Sequence, residues 1–178
     1  MRPHESEYAP YYQSYVSRVT QDDIVPVLDA QIEELQMVLE RCGPDRETHR
    51  YESGKWSVRE VIGHLIDGER VFGYRAFAIA RGESRNLPGF DQNDYIATAP
   101  YEHVNLTTLL EEFRLLRMAN VVMFRNLDEQ AWSRTGTAND SSVTVRALAF
   151  IMAGHVSHHL GILRERYLEP LPLTPTKS

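Results

Sequence analysis

Apolar residues recur at helical spacing in four long segments of this 178-residue chain, and no segment of comparable length alternates as a strand would. The first runs from Ile24 to Arg41, with Ile24, Val27, Leu28, Ile32, Leu35 and Leu39 as its stripe. Asp22 or Asp23 stands where an N-cap belongs, and Gly43 and Pro44 stop it. The second runs from Ser57 to Arg81, opened by a Ser57/Glu60 capping box with Trp56 placed to staple the entry. Val58, Val61, Ile62, Leu65 and Phe72 face a core. The third spans Leu106 to Leu127 behind Asn105, and Leu109, Leu110, Phe113, Leu116, Val121 and Phe124 carry its pattern. The fourth spans Val145 to Leu168 behind Thr144, lined by Leu148, Ile151, Met152, Leu160, Leu163 and Tyr167. Pro170 and Pro172 prevent its continuation. Four amphipathic helices of about 18–25 residues predict an all-α four-helix bundle, whose sites are built from inward side chains of facing helices.

The connections add three expectations. Gly82 to Val104 is long for a loop inside a compact domain, so it should cover a site or an interface. It contains LPGFDQNDY, with a turn expected at Pro88-Gly89. Residues 1–20 form an aromatic segment in which Tyr8, Tyr11, Tyr12 and Tyr15 fall at helical spacing behind Pro10. It reads as a flap packed on the bundle or on a partner subunit. Residues 169–178 read as an extended tail, and residues 1–178 as one domain.

Bulk properties exclude some partners. A net charge of −6 lacks the basic footprint of a nucleic-acid binder, so no nucleic acid is expected. The longest apolar run, Ala147 to Gly154, falls far short of the roughly 20 residues that span a bilayer, and MRPHESEYAPYY has no signal-peptide core. With Cys42 as the single cysteine, no intrachain disulfide can form. These readings predict a cytoplasmic protein with no membrane contact.

The candidate chemistry lies in the histidines. His155 and His159 are one helical turn apart, separated by about 40° around the axis and about 6 Å along it, and His64 stands inside the second helix. Three imidazoles from two facing helices can hold one metal ion and leave coordination positions open. His158 lies about 60° to the other side of His155, so spacing alone leaves the second ligand as His158 or His159. Burying several imidazoles costs free energy unless their nitrogens are satisfied, which a shared ion would do. Asp67, three residues after His64, reads as a ligand, as a partner that orients a ligating ring, or as a catalytic base. Gly63, Gly68, Gly73, Gly154 and Gly161 each weaken a helix interior, which points to close helix approach or to open space, and Gly68 would leave room beside His64. The pattern is not that of a di-iron carboxylate bundle, which needs Glu-x-x-His pairs. Ser141-Ser142 forms no nucleophile elbow, and Cys42 reads as structural. Arg75, Arg81, Arg164 and Arg166 read as surface or ion-pair residues, any one of which could meet an anionic substrate group.

The stretches GKWSVREVIGHLIDGERVFGYRAFAIARGE, LPGFDQNDY and TGTANDSSVTVRALAFIMAGHVSHHLGILRERY resemble the DinB-like superfamily of metalloenzymes, of the DinB/YfiT type. The resemblance covers nearly the whole chain. It implies a bundle with up-down-down-up connections, frequently dimeric, with one metal-ligating histidine in the second helix and two in the fourth. Carried to this sequence, those positions are His64, His155 and His159, with His158 a neighbour. The implied cofactor is a divalent metal ion, zinc or nickel first and iron or copper after them, acting on a small-molecule substrate. The family includes thiol-dependent S-transferases and a mycothiol-dependent isomerase, so a low-molecular-weight thiol cosubstrate is implied as well. The expected function is thus that of a metal-dependent enzyme with a three-histidine site, of which a thiol-dependent S-transferase is one form; the site carries over from the family and the reaction does not. The alternatives are a metal-dependent hydrolase with Asp67 as base, or a non-catalytic metal-binding module that dimerises.

Overall fold

The computed structural model describes residues 2–168 of the chain; the tail expected at 169–178 lies outside the described residues. After a one-turn helix α1 (Gln13–Val16) come the long helices α2 (Ile24–Cys42) and α3 (Val58–Ala80). A short α4 (Gln92–Thr98) precedes α5 (Leu106–Arg125) and the one-turn α6 (Glu129–Ser133). A hairpin of β1 (Thr135–Ala138) and β2 (Ser141–Thr144) then leads into α7 (Val145–Ile162), which ends in a π-helical turn at Leu163–Tyr167.

The helix starts follow from their caps. Asp23, Ser57, Asn105 and Thr144 each accept a backbone N–H of the first turn, and Glu60 closes the Ser57 box by accepting the Ser57 N–H at 2.6 Å. Tyr167, at the end of the last helical turn, donates its hydroxyl to the Trp56 carbonyl at 2.6 Å, tying the end of the chain's last helix to the start of α3.

Helices α2 and α3 each pack mainly against α5 and α7, so they sit on opposite corners of the bundle. Side-chain pairs give the directions. Arg70 meets Glu112 and Gly73 lies against Asn120, so α3 and α5 run parallel. Gln31 meets Ala153 and Glu34 meets Arg164, so α2 and α7 run parallel. The His64–His155 and Trp56–Tyr167 contacts set α3 against α7 antiparallel. The order is up, down, down, up, and the parallel neighbours α3 and α5 need the long 82–104 connection to return the chain to the same end.

The apolar core divides into two clusters. One gathers Leu28, Phe72, Ile79, Phe124 and Phe150; the other gathers Leu35, Ile62, Leu65, Phe113 and Leu160. Between them the bundle buries polar side chains from all four helices: Gln31, Glu69, Arg117 and His155. The predicted stripes of α2 and α5 pass through this layer, with Gln31 and Arg117 in place of apolar residues.

Two features differ from the sequence reading. The 82–104 connection is not irregular, because Asp91 caps α4 by accepting the N–H groups of Asn93 and Asp94, at 2.7 and 3.2 Å. The hairpin was not expected. Its strands are only four residues each, too short for alternation to show, and its turn places Asn139 and Asp140 at φ 50° and 58°, a conformation Asn and Asp tolerate. Among the described residues no helix is long and apolar enough to cross a membrane.

Candidate metal centre

His64 is presented by α3, and His155 and His159 by successive turns of α7, where the two helices cross. All three are buried, and one potential ligand nitrogen from each lies within 4.8 Å of the others. The ring centroids form a nearly equilateral triangle with sides of 4.7, 4.8 and 4.8 Å. The Nε2 atoms of His64 and His155 face each other at 2.8 Å. Gly68 makes this approach possible: a Cβ there would lie 2.9 Å from Cε1 and 3.0 Å from Nδ1 of His155. The room that Gly68 leaves is filled by the His155 ring. Gly154 has a second packing role, since any side chain there would strike the backbone of Tyr15, which brings α1 onto α7.

The cluster is electrostatically prepared for a cation. Burial lowers the pKa of His64 to about 4, with a smaller push from His158. Burial also lowers His155 and His159 well below the ordinary imidazole value, and the neighbouring rings add to the effect. Three neutral imidazoles at neutral pH are the form that ligates a metal. The Nδ1 atoms of His64 and His159 are buried with no hydrogen-bond partner among the described residues. Buried polar atoms left this way are uncommon; the His64 Nδ1 is the nitrogen opposite the Nε2 that faces His155, so an ion shared through Nε2 would not satisfy it.

The other candidates fall elsewhere. His158 is half-buried beside Tyr15 and is not part of the three-nitrogen cluster. Asp67 accepts a hydrogen bond from the Tyr101 hydroxyl at 2.7 Å and is likewise outside the cluster. Burial raises the Asp67 pKa while the Tyr101 bond opposes the rise, and burial together with Asp67 holds Tyr101 well above the ordinary phenol range. Tyr101 comes from the 82–104 connection and lies flat on Gly63, where any side chain would collide with its ring. Arg81, Arg164 and Arg166 are exposed, as read from the sequence. Arg75 is corrected: it is buried, not a surface residue, and forms no ion pair among the described residues.

A pocket of about 420 Å³ opens onto the cluster, with His64 and His155 in its lining. Tyr11, Tyr12 and Tyr15 wall it from the N-terminal segment, Phe72 and Arg75 from α3, and residues 89–93 from the long connection. The aromatic segment therefore packs on the bundle beside the histidines, and the long connection borders the same pocket. Sequence reasoning missed Arg75 as a pocket residue. The signal was present: an arginine inside the otherwise apolar run VFGYRAFAIA.

The profile of the DinB superfamily matches residues 28–163. The chain belongs to the DinB superfamily. Among solved structures, this DinB-superfamily chain is similar to YfiT from Bacillus subtilis, with a TM-score of 0.76 at 20% identity over 93% of this chain and 90% of that one. YfiT is described as a probable metal-dependent hydrolase with an unusual four-helix bundle topology. The chain is also similar to a DinB-like protein, YjoA, from Bacillus subtilis, with a TM-score of 0.56 at 21% identity over 79% of this chain and 86% of that one. At these identities the likeness speaks for the fold. No curated protein matches the chain in sequence.

Proposed function

We propose that His64, His155 and His159 hold a divalent metal ion, and that the protein is a metal-dependent enzyme joining a low-molecular-weight thiol to an electrophilic small molecule. The observation that carries this reading is the pocket of about 420 Å³ that reaches the histidine cluster. A purely structural metal would be expected in a closed site, whereas an open pocket with aromatic and polar walls suits a bound small molecule.

A divalent ion so held lowers the pKa of a nucleophile bound beside it. A thiol loses its proton near pH about 8.5 and bulk water near about 15.7, and a divalent ion brings bound water down to about 7, so either nucleophile is within its reach at neutral pH. Asp67 is not in the pocket lining, and Asp91, which is, accepts two backbone N–H groups at Oδ1. The chain offers no thiol of its own there, since Cys42 is buried in the apolar core and is not in the pocket lining. In the proposed reaction the thiol proton passes to solvent, a sulfur–carbon bond forms, and the leaving group departs with the electrons of its bond to carbon. His64 and His155 fix the reacting end, while Tyr12, Tyr15 and Phe72 exclude water.

Hydrolysis, the activity suggested for YfiT, is the second reading, and the raised pKa of Asp67 is what favours it. Elemental analysis of protein purified without nickel resin tests the metal. Chlorodinitrobenzene with cysteine, run with and without chelator, tests the chemistry, and chelator-sensitive release of chloride is expected. A metal-loaded protein that turns over no thiol but hydrolyses ester substrates would replace the first reading with the second. A homodimer belongs to the same proposal, and light scattering that gives only monomer at micromolar concentration would remove it.

A further inference from the structure

We infer that Arg75 is an anion-binding residue for the small molecule that occupies the pocket, so that this molecule carries a carboxylate or phosphate group at the end away from the histidines. The inference deepens the enzymatic reading above and rests on it for the location of the reacting end.

Arg75 is 3% exposed, yet among the described residues its guanidinium makes one hydrogen bond, from Nη2 to the Pro88 carbonyl at 2.6 Å. None of the ion pairs among the described residues involves it. A guanidinium has five N–H donors and remains charged at any relevant pH, so a single neutral acceptor leaves most of its capacity unused. Burying a charge without a counter-charge is costly, and tethering the Pro88 loop would need only a neutral donor. The same bundle supplies the control. Arg117, 0% exposed, is held by both carboxylate oxygens of Glu69, by Gln31 and by the Leu28 carbonyl.

The unpaired guanidinium lines the pocket that also reaches His64 and His155. Phe72 stands between the two ends: the Arg75 guanidinium carbon is 6.0 Å from its ring centre and the His155 ring is 5.8 Å from it. Arg75 and the histidines are thus no farther apart than those two distances laid end to end. One small molecule can span them along the Phe72 face. The other charged group in the lining, Asp91, caps α4 through Oδ1 and forms no ion pair with Arg75 among the described residues. A planar guanidinium fork matches the two oxygens of a carboxylate or phosphate, which makes an oxyanion the fitting ligand group.

The test is binding to chelator-treated full-length protein, so that no probe can be held by a metal and a failed metal site cannot mimic a failed anion site. Benzoate and phenyl phosphate are titrated against benzamide, which has the ring of benzoate without its charge. We expect the preferred oxyanion to bind about tenfold or more tightly than benzamide, the discrimination a charge-assisted pair gives. Which of the two binds better assigns carboxylate or phosphate. Arg75→Gln should abolish the preference, and Arg75→Lys should keep part of it, because charge survives and the fork does not. Nuclear magnetic resonance on the wild type supplies a readout that does not depend on the Arg75→Gln fold. The arginine Nε–H signal that disappears in Arg75→Lys should shift with the oxyanion and stay still with benzamide. Equal binding of all three probes, no binding at all, a preference that survives in folded Arg75→Gln, or an unmoved Arg75 signal would each overturn the inference.

Discussion

Two polar clusters are buried side by side in this bundle, and they treat their polar atoms in opposite ways. In the first, Arg117, Glu69, Gln31 and Asn120 satisfy one another and reach out to Leu28 O, Ala153 O and Ser157 Oγ, linking all four long helices. In the second, one turn away on α3 and α7, three imidazoles converge and two of their nitrogens have no partner among the described residues. Closed networks fix helix positions; converging donors with spare capacity are arranged for a ligand. The first cluster thus reads as the frame that holds the helices, and the second as the part left open to a ligand.

The sharpest way to break this comparison is to open the closed cluster. Glu69→Ala leaves the Arg117 guanidinium buried beside neutral acceptors, and the expected cost is about 3–5 kcal/mol by urea denaturation. A loss below about 1 kcal/mol would show that water or repacking rescues Arg117, and that the network is not the frame.

The histidine cluster should respond differently, through ligand content more than through folding. In folded variants, His155→Ala and His159→Ala should lose a bound divalent metal on dialysis, while His158→Ala retains it. Metal at a hundred to a thousand times its dissociation constant stabilises the fold by about 3–4 kcal/mol, so the melting temperature of wild type should rise on loading and that of His155→Ala should not. Mass spectrometry of the dialysed proteins checks this. Metal lost from His158→Ala but kept in His159→Ala would reassign the ligand set.

The four long helices were legible in the sequence because caps and apolar period agree there: Ser57 with Glu60 at one start, Asn105 and Thr144 at others. The histidines could be picked out for a related reason, since three of them on one amphipathic helix cannot all avoid burial. What was not legible is polar residues that occupy apolar positions. Gln31 and Arg117 lie on the buried stripes of α2 and α5, but a polar residue interrupting a stripe looks like a gap until its partner across the bundle is known. Arg75 stood out as an arginine inside an apolar run, but its burial in the pocket wall did not, and the hairpin was hidden by its length.

Proton uptake gives a further test of the contrast. His64 is held near pKa 4 against an ordinary 6.5, and His155 and His159 shift in the same direction. As pH falls below about 6.5 the unfolded chain binds protons that the folded rings refuse, so stability present at neutral pH should be lost towards pH about 4. For His64 alone the loss is about 3 kcal/mol, since the pKa falls from 6.5 to about 4. Urea midpoints of chelated protein measured down this range should show the decline, and a His64→Phe variant that folds should show less of it. An identical decline in that variant would place the acid sensitivity elsewhere, in the carboxylates.

The smallest effect concerns the edge of the histidine cluster, where Tyr101 donates to Asp67 at 2.7 Å. Tyr101→Phe removes that one hydrogen bond while keeping the ring on Gly63, so the expected cost is about 0.5–1.5 kcal/mol. Because the bond opposes the effect of burial on Asp67, its removal should raise the Asp67 pKa further. Two roles for Asp67 then separate. If it only anchors the long connection, Asp67→Asn will resemble Tyr101→Phe, with full metal content and an unchanged pH–rate profile for thiol transfer. If it serves as a base, Tyr101→Phe will move the acidic limb of that profile to higher pH and Asp67→Asn will abolish the limb. The separation of Asp67 from the three-nitrogen cluster and from the pocket lining favours the anchoring role, and a shifted limb in Tyr101→Phe is the result that would defeat it.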